Sequence, residues 1–139
     1  IFKDPHRGDA IEELGGMNVF FIFGKENKIV TPELTGTILE GVTRSSLIQL
    51  AKDRGMTVEE RAITLNEWRE GVANGDITEI FACGTAAVVA PIGKLKAEDF
   101  EIPAPTEHFG EISKSLREEL VGIQLGTVED RHGWMTRLI

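Results

Sequence analysis

The chain alternates between apolar stretches of strand-like composition and stretches whose apolar residues recur with helical spacing. Residues 17–23 (MNVFFIF) predict a strand, residues 24–27 a turn and residues 28–31 a second strand, which together indicate a hairpin. Further strands are predicted over residues 58–63, 79–82, 86–91 and 100–102, with a tight turn over residues 83–85.

The first predicted helix covers residues 43–54 and carries signals at both ends. Thr43 or Ser45 is the expected N-cap, because a hydroxyl oxygen accepts a hydrogen bond from an N–H group of the first turn. Gly55 is the expected stop, since glycine readily enters the left-handed conformation that ends many helices. The apolar stripe of this helix consists of Leu47, Ile48, Leu50 and Ala51.

Two further helices are predicted in the second half of the chain. Thr64 and Glu67 form a T-x-x-E capping box that opens a helix through Ala73. Residues 111–125 predict the other, with an apolar face made of Ile112, Leu116, Leu120 and Ile123. Because strands and helices alternate along the chain, we predict an α/β (mixed α+β) fold, with residues 1–9 irregular.

Charge and composition narrow the classes of function. The 15 Lys and Arg residues against 23 Asp and Glu give a net charge of −8, which disfavours nucleic-acid binding because phosphate contacts need clustered basic residues. The longest apolar runs are too short to cross a bilayer, so no membrane partner is expected. One cysteine and three widely separated histidines predict no disulfide and no metal site, and fit a cytoplasmic location.

Two turns rich in small residues have the chemistry to hold an anion. Residues 41–43 lie where a loop enters a helix, so unpaired N–H groups face outward and Thr43 adds a hydroxyl. Residues 83–86 form a second such turn, with Thr85 as a donor. Each pattern alone favours an ordinary helix start or hairpin turn, but the two together indicate a phosphorylated or carboxylated ligand.

The sequence also offers a candidate acid, Glu13, and a single thiol, Cys83. Glu13 comes just before two glycines and the first strong strand, where its carboxylate can pair with a protonated ring nitrogen. The pattern alone favours a solvated acid beside Glu12. Cys83 has no neighbouring base in the sequence, which predicts a buried small residue rather than a nucleophile.

Several ordered motifs resemble the C-terminal half of branched-chain amino-acid aminotransferases, which are fold-type IV enzymes that use pyridoxal 5′-phosphate (PLP). The similarity runs in order from about Ile11 to Leu138. The matching motifs are EELGGMNVFF (12–21), TPEL (31–34), LEGVTR (39–44), EIFACGTAA (79–87), GIQ (122–124) and DRHGWM (130–135).

The resemblance implies a fold, an activity and partners. It implies a pseudo-barrel sheet with surrounding helices and reversible amino transfer between Leu, Ile or Val and 2-oxoglutarate, so branched-chain amino acids and 2-oxo acids are the expected ligands. The start at Ile1 indicates a piece of a longer parent. We therefore expect residues 1–10 to be an irregular lead-in and residues 11–139 a C-terminal PLP-binding domain, which meets its own N-terminal domain within a homodimer.

The resemblance also assigns cofactor contacts. Glu13 matches the acid that pairs with the pyridine nitrogen of PLP, and a protonated nitrogen makes the ring an electron sink. Leu39 matches the residue that packs on the face of the ring. Val42, Thr43 and Thr85 match donors to the phosphate, so these two turns are expected to converge on one anion.

The resemblance also assigns substrate contacts in this chain. The N–H groups of Thr85 and Ala86 match the cradle for the substrate α-carboxylate, while Gly16 and Met17 lie near the substrate side chain. No catalytic residue is assigned in this chain. The Schiff-base lysine of the family is expected upstream of the pyridine-pairing acid, where this sequence has only Lys3, outside any matching motif.

Two alternatives stay open from the sequence. One lies within the fold family, where the parent would be a D-amino-acid transaminase or an aminodeoxychorismate lyase. The other belongs to a different class, in which the chain is a folded fragment without catalysis that only binds anions or associates with itself. A bare apolar face is expected in either case, because the N-terminal domain would cover part of this domain.

Overall fold

The computed structural model describes residues 1–138, which contain nine strands and three α-helices. The strands are β1 (Phe2–Lys3), β2 (Ile11–Glu13), β3 (Asn18–Phe23), β4 (Lys28–Thr31), β5 (Thr57–Glu60), β6 (Glu79–Gly84), β7 (Val88–Pro91), β8 (Lys94–Lys96) and β9 (Glu101–Pro103). The helices are α1 (Val42–Asp53), α2 (Leu65–Ala73) and α3 (Glu111–Leu125). The predicted mixed α/β class is confirmed.

The main sheet has five strands in the order β5-β4-β3-β6-β7. Strands β4 and β5 run parallel, while the other neighbouring pairs are antiparallel. The pairs β1-β2 and β8-β9 form two small sheets. Strand β3 is therefore central, and the predicted hairpin of β3 and β4 is confirmed, with Phe21 opposite Val30.

Strand β3 is apolar from Val19 to Phe23 because both of its faces are covered. Phe20 and Ile22 point to a cluster shared with α1 and α3. Val19, Phe21 and Phe23 point to the opposite cluster, which includes Trp68 of α2 and Ile102 of β9. Alternate residues of a strand face opposite sides, so a strand buried on both sides shows an unbroken apolar run.

The structure confirms three of the four predicted helix features. Helix α3 has the predicted bounds, and the Thr64 hydroxyl accepts a hydrogen bond from the N–H of Glu67 at 3.0 Å, as the capping box predicts. Gly55 follows α1 with φ +75°. The predicted N-cap of α1 was wrong, because Gly41 occupies that position and makes no side-chain capping bond. Across residues 1–138, no helix combines the length and apolar character needed to cross a membrane.

The remaining differences concern short strands and turns. Phe2–Lys3 pairs with Ile11–Glu13, although residues 1–9 were predicted to be irregular. The β6–β7 turn lies at residues 85–87 rather than 83–85, because Cys83 and Gly84 continue the ladder opposite Val89 and Val88. Strand β8 was not predicted, since its sequence, KLK, contains a single apolar residue.

Glu79, the first residue of β6, caps α3 across the fold. Its two carboxylate oxygens accept hydrogen bonds from the N–H groups of Ile112, at 3.0 Å, and Ser113, at 2.8 Å. The side chain is buried, and a Cβ on Gly110 would overlap with it. A carboxylate at this helix end satisfies unpaired donors and complements the helix dipole.

We expect Glu79→Gln to destabilise the fold by about 1–3 kcal/mol, because the amide NH₂ cannot accept a bond from an N–H group and leaves one donor buried and unpaired. Urea unfolding of the 139-residue chain, followed by circular dichroism, measures this change. Glu98→Gln is the control, since Glu98 is exposed. Equal midpoints for the two variants would contradict the capping role.

Candidate functional site

The turn between β2 and β3 presents Glu13, Gly16 and Met17. Leu14 and Met17 exchange backbone hydrogen bonds of 2.8 and 3.2 Å. The two residues between them are Gly15 and Gly16, with φ values of +57° and +88°. A two-residue turn with positive φ at both central positions favours glycine, which explains the Gly–Gly pair. Gly16 is exposed, whereas Glu13 and Met17 are half-buried.

The loop between β4 and α1 brings Leu39 next to Glu13. The N–H of Leu39 lies 3.5 Å from the Oε2 atom of Glu13, at the outer limit of a hydrogen bond. The Leu39 side chain is 63% exposed, although leucine is usually buried. The structure therefore places the Glu13 carboxylate beside the backbone of a residue whose apolar side chain is exposed.

The first turn of α1 offers unpaired N–H groups. The first backbone bond into this helix runs from the N–H of Ser45 to the carbonyl of Gly41, at 3.0 Å. The N–H groups of Val42 and Thr43 precede it and belong to the donors that a helix leaves without internal partners. Val42 is 81% exposed and Thr43 half-buried. This end of the helix is suited to an anion.

Asn18, which the sequence analysis did not single out, connects these segments. It is buried at the start of β3, opposite Cys83 of β6. Its Nδ2 atom donates a hydrogen bond of 3.0 Å to the carbonyl of Leu39. A Cβ on Gly41 would overlap with its Oδ1 atom. The sequence did offer one indication of Asn18, because it is a polar residue at the start of an otherwise apolar strand.

The turn after β6 carries Thr85 and Ala86, both exposed. Gly84, which precedes them, lies against Met17, because a Cβ on Gly84 would be 3.5 Å from the Cγ of Met17. Val88 ends the turn with φ +59°, a conformation that costs a β-branched residue about 1–3 kcal/mol. The turn thus begins beside Met17, while the convergence of Thr85 with Val42 and Thr43 stays a prediction.

Arg44 attaches the start of the loop between β4 and α1 to the domain. Its guanidinium is buried and donates hydrogen bonds of 2.9 Å to the carbonyl of Pro32 and to the Glu60 carboxylate. The middle of the loop is held by a hydrogen bond from the Thr37 hydroxyl to the buried carboxylate of Glu12. The loop is therefore attached to the domain at both ends and in the middle.

Cys83 is buried beneath the site, as predicted. Burial raises the pKa of its thiol from an ordinary value of 9.0 to about 12, against the opposing effect of the Arg44 charge. A neutral thiol at physiological pH is a poor nucleophile. The residue fills space between the sheet and α1 rather than taking part in chemistry.

The raised pKa of Cys83 gives an expected pH dependence. Above pH 9 the unfolded chain loses the thiol proton while the folded chain keeps it until about pH 12, so the free energy of unfolding falls with rising pH in this window. We expect Cys83→Ala to show a smaller loss of stability than the wild type between pH 8 and pH 10. Parallel losses in urea unfolding would contradict this assignment.

His132 lies in the C-terminal tail and outside the site described above. Its Nε2 atom is 2.6 Å from Oδ2 of Asp53 at the end of α1, and this contact lowers the pKa of the Asp53 carboxyl. Its ring stacks on Trp134 with a centroid distance of 4.8 Å. The other two histidines are exposed, as predicted for surface residues. These contacts attach the tail to α1.

Together, these segments lie around the start of the central strand β3. A carboxylate and an unburied leucine lie beside a helix end with free N–H groups, and Asn18 joins the loop to the sheet. The free N–H groups suit an anion, and the Glu13 carboxylate suits a cationic or hydrogen-bond-donating group.

Comparisons with known proteins show the family of this chain. The sequence pattern of the amino-transferase class IV family matches residues 1–95. The chain therefore belongs to this family. Two curated relatives are branched-chain-amino-acid aminotransferases, from Mycolicibacterium smegmatis at 52% identity and from Mycobacterium tuberculosis at 51%. Each alignment covers 99% of this chain and 38% of the relative, so the chain spans well under half of their length.

Solved structures give the same result for the fold. A branched-chain amino acid aminotransferase from Escherichia coli superposes with a TM-score of 0.74 at 26% identity, over 94% of this chain and 40% of that one. Another relative of the same name, solved with pyridoxamine 5′-phosphate, gives a TM-score of 0.76 at 29% identity, over 94% of this chain and 39% of that one. One from the archaeon Thermoproteus uzoniensis gives 0.74 at 30% identity, over 94% of this chain and 39% of that one. The fold is that of class IV aminotransferases.

Proposed function

We propose that this chain is part of a cytoplasmic, PLP-dependent aminotransferase that exchanges amino groups between Leu, Ile or Val and 2-oxoglutarate. The observation that carries the proposal is the 52% identity to a branched-chain-amino-acid aminotransferase over 99% of the chain. The juxtaposition of Glu13 and Leu39 supports it, since the structure joins two segments that are 26 residues apart in sequence.

The residues around the start of β3 fit PLP. The N–H groups of Val42 and Thr43, in the first turn of α1, suit a phosphate. Leu39 would pack on the ring, and Thr85 would add a donor to the phosphate. When bound, PLP supplies an electron sink for charge that develops at the substrate Cα.

Glu13 has the chemical role of holding a proton. Its carboxylate would accept a charge-assisted hydrogen bond from a protonated pyridine nitrogen and keep the proton on that atom. The half-buried position favours this role, because water screens the interaction less than it does at the surface. Glu13 therefore tunes the cofactor and takes no proton from the substrate.

The turn after β6 would orient the substrate. The N–H groups of Thr85 and Ala86 are exposed at its tip and would bind the α-carboxylate, which fixes the amino acid by its anionic end. Gly16 and Met17 would border the side chain of the substrate. Met17 lies against Gly84 at the base of the turn, so the two substrate-binding segments support each other.

The base that moves the Cα proton is proposed to come from outside this chain. Lys3 is the lysine that precedes Glu13 here, and its Nζ atom is paired with Asp9 at 3.2 Å in an exposed ion pair. Residues 11–139 would then form a C-terminal PLP-binding domain, and an N-terminal domain would complete the site. The exposed Leu39 and Val42 would lie under that domain in a homodimer.

We expect the isolated 139-residue chain to show no transamination of L-leucine with 2-oxoglutarate, and the intact protein to show it. The reason is that Lys3, the lysine that precedes Glu13, pairs with Asp9 instead in the part of the chain that the structure describes. A coupled assay for glutamate measures both proteins. Turnover by the isolated chain at a rate near that of the intact protein would overturn the assignment of the base.

Assays with other substrates on the intact protein separate the alternatives. Activity with D-alanine instead of L-leucine would favour a D-amino-acid transaminase. Release of pyruvate from aminodeoxychorismate would favour the lyase. No activity in any of these assays would support the non-catalytic fragment and would overturn the proposed function.

A further inference from the structure

Asn18 makes the direct side-chain connection from the central strand β3 to the segment that leads into α1. Its side chain is buried, with Nδ2 donating to the Leu39 carbonyl at 3.0 Å. The opposite end of the amide, Oδ1, occupies the space where a Cβ of Gly41 would lie. One side chain therefore contacts both ends of the short stretch 39–41.

The stretch 39–41 has few other contacts that fix it. Leu39 and Glu40 are exposed, so apolar packing contributes little to their position. The N–H of Gly41 bonds locally to the carbonyl of Leu39, at 2.9 Å, and the contact from Leu39 to Glu13 is long at 3.5 Å. The hydrogen bond from Asn18 is thus the short contact that connects this stretch to the sheet.

We propose that Asn18 is a positioning residue for the cofactor. It sets where the Leu39 side chain and the N–H groups of Val42 and Thr43 lie relative to Glu13, without touching the cofactor. The inference rests on the proposed function. It also explains why residue 41 is glycine, because any side chain there would displace the Asn18 amide.

The chemistry of the amide is specific to this task. The Leu39 carbonyl needs a donor, and the N–H₂ group of the buried Asn18 side chain supplies one. Aspartate has the same shape but only acceptor oxygens when it is ionised. Asn18→Asp would therefore set an oxygen against the Leu39 carbonyl and add a second negative charge near Glu13.

The test uses the intact protein prepared without cofactor. We expect Asn18→Asp to weaken the binding of PLP by roughly ten-fold, measured by titration of protein fluorescence, because one buried hydrogen bond is lost. The KM for L-leucine should change less than kcat, since the Asn18 side chain hydrogen-bonds to the loop before α1, whereas only its backbone pairs with β6. Asn27→Asp is the matched control, because the exposed Asn27 also donates to a loop carbonyl, that of Gly55 at 3.2 Å.

Two further variants keep the proposal open to refutation if Asn18→Asp does not fold. Gly41→Ala should weaken PLP binding through the overlap with Asn18. Adding Asn18→Ala to Gly41→Ala restores space but not the hydrogen bond, so binding should stay weak. Full recovery in the double variant would show that packing alone matters and would overturn the proposal.

The outcomes distinguish this inference from the proposed function. If the wild-type protein does not bind PLP, the proposed function fails, and this inference fails with it. If the wild type binds PLP and Asn18→Asp binds it equally well while its cofactor-free form unfolds at a lower temperature, Asn18 is only structural. That result overturns the positioning role and leaves the proposed function standing.

Discussion

Replacing Glu13 with Gln in the intact protein should lower kcat for transamination about 10- to 100-fold, while PLP stays bound. A carboxylate stabilises a protonated pyridine nitrogen by a charge-assisted hydrogen bond, and an amide does so less well, by about 1.5–3 kcal/mol. The proposed phosphate donors Val42, Thr43 and Thr85 are unchanged, so affinity for the cofactor should fall much less than kcat. Steady-state kinetics and PLP titration measure the two effects.

Glu12→Gln is the matched control for this experiment. Glu12 is the neighbouring acid on β2, and successive side chains of a strand face opposite sides. Its carboxylate accepts a hydrogen bond from Thr37 instead of facing Leu39. We expect this variant to change stability more than kcat. If Glu13→Gln has wild-type kinetics, Glu13 is a solvated acid and the proposed cofactor contact is wrong.

Trp68→Ala should destabilise the 139-residue chain by about 3–5 kcal/mol, the largest effect expected from a single core substitution here. Trp68 lies on α2, is fully buried, and packs edge to face on Phe21 of β3 with a centroid distance of 5.3 Å. Removal of the indole leaves a cavity between α2 and the sheet. Domains of this size have about 5–15 kcal/mol of stability in total, so the loss is severe.

Urea unfolding followed by far-ultraviolet circular dichroism measures this loss without relying on tryptophan fluorescence. Trp134→Ala is the control, because Trp134 is 37% exposed and stacks mainly on His132. We expect that variant to lose less than about 1 kcal/mol. Equal losses for the two substitutions would mean that the cluster around Trp68 does not stabilise the fold more than the tail does.

The local elements were predictable where the sequence carries a local cause. Helix α3 was predicted at its observed bounds, because four apolar residues repeat on one face. The start of α2 was predicted from Thr64 and Glu67, whose hydrogen bond forms within one turn. Strand β3 was predicted from its apolar run, although the reason for that run, helices on both faces of the sheet, is a tertiary property.

The elements that were missed depend on partners far away in sequence. The ladder of β6 continues through Cys83 and Gly84 because β7 lies beside them, which moved the turn by two residues. The N-cap of α1 is Gly41 rather than a hydroxyl residue, because Asn18 occupies the space where a side chain would lie. Neither cause is visible in the local pattern.

The sequence by itself determined the class of the fold, the three helices, and the residue types at the two turns that we propose bind an anion. It did so because capping, periodicity and glycine-rich turns are local properties. Only the tertiary structure decided that Glu13 meets Leu39 and that Asn18 holds the loop before α1. These contacts join segments more than 20 residues apart, and they exist only once the strands of the sheet have paired.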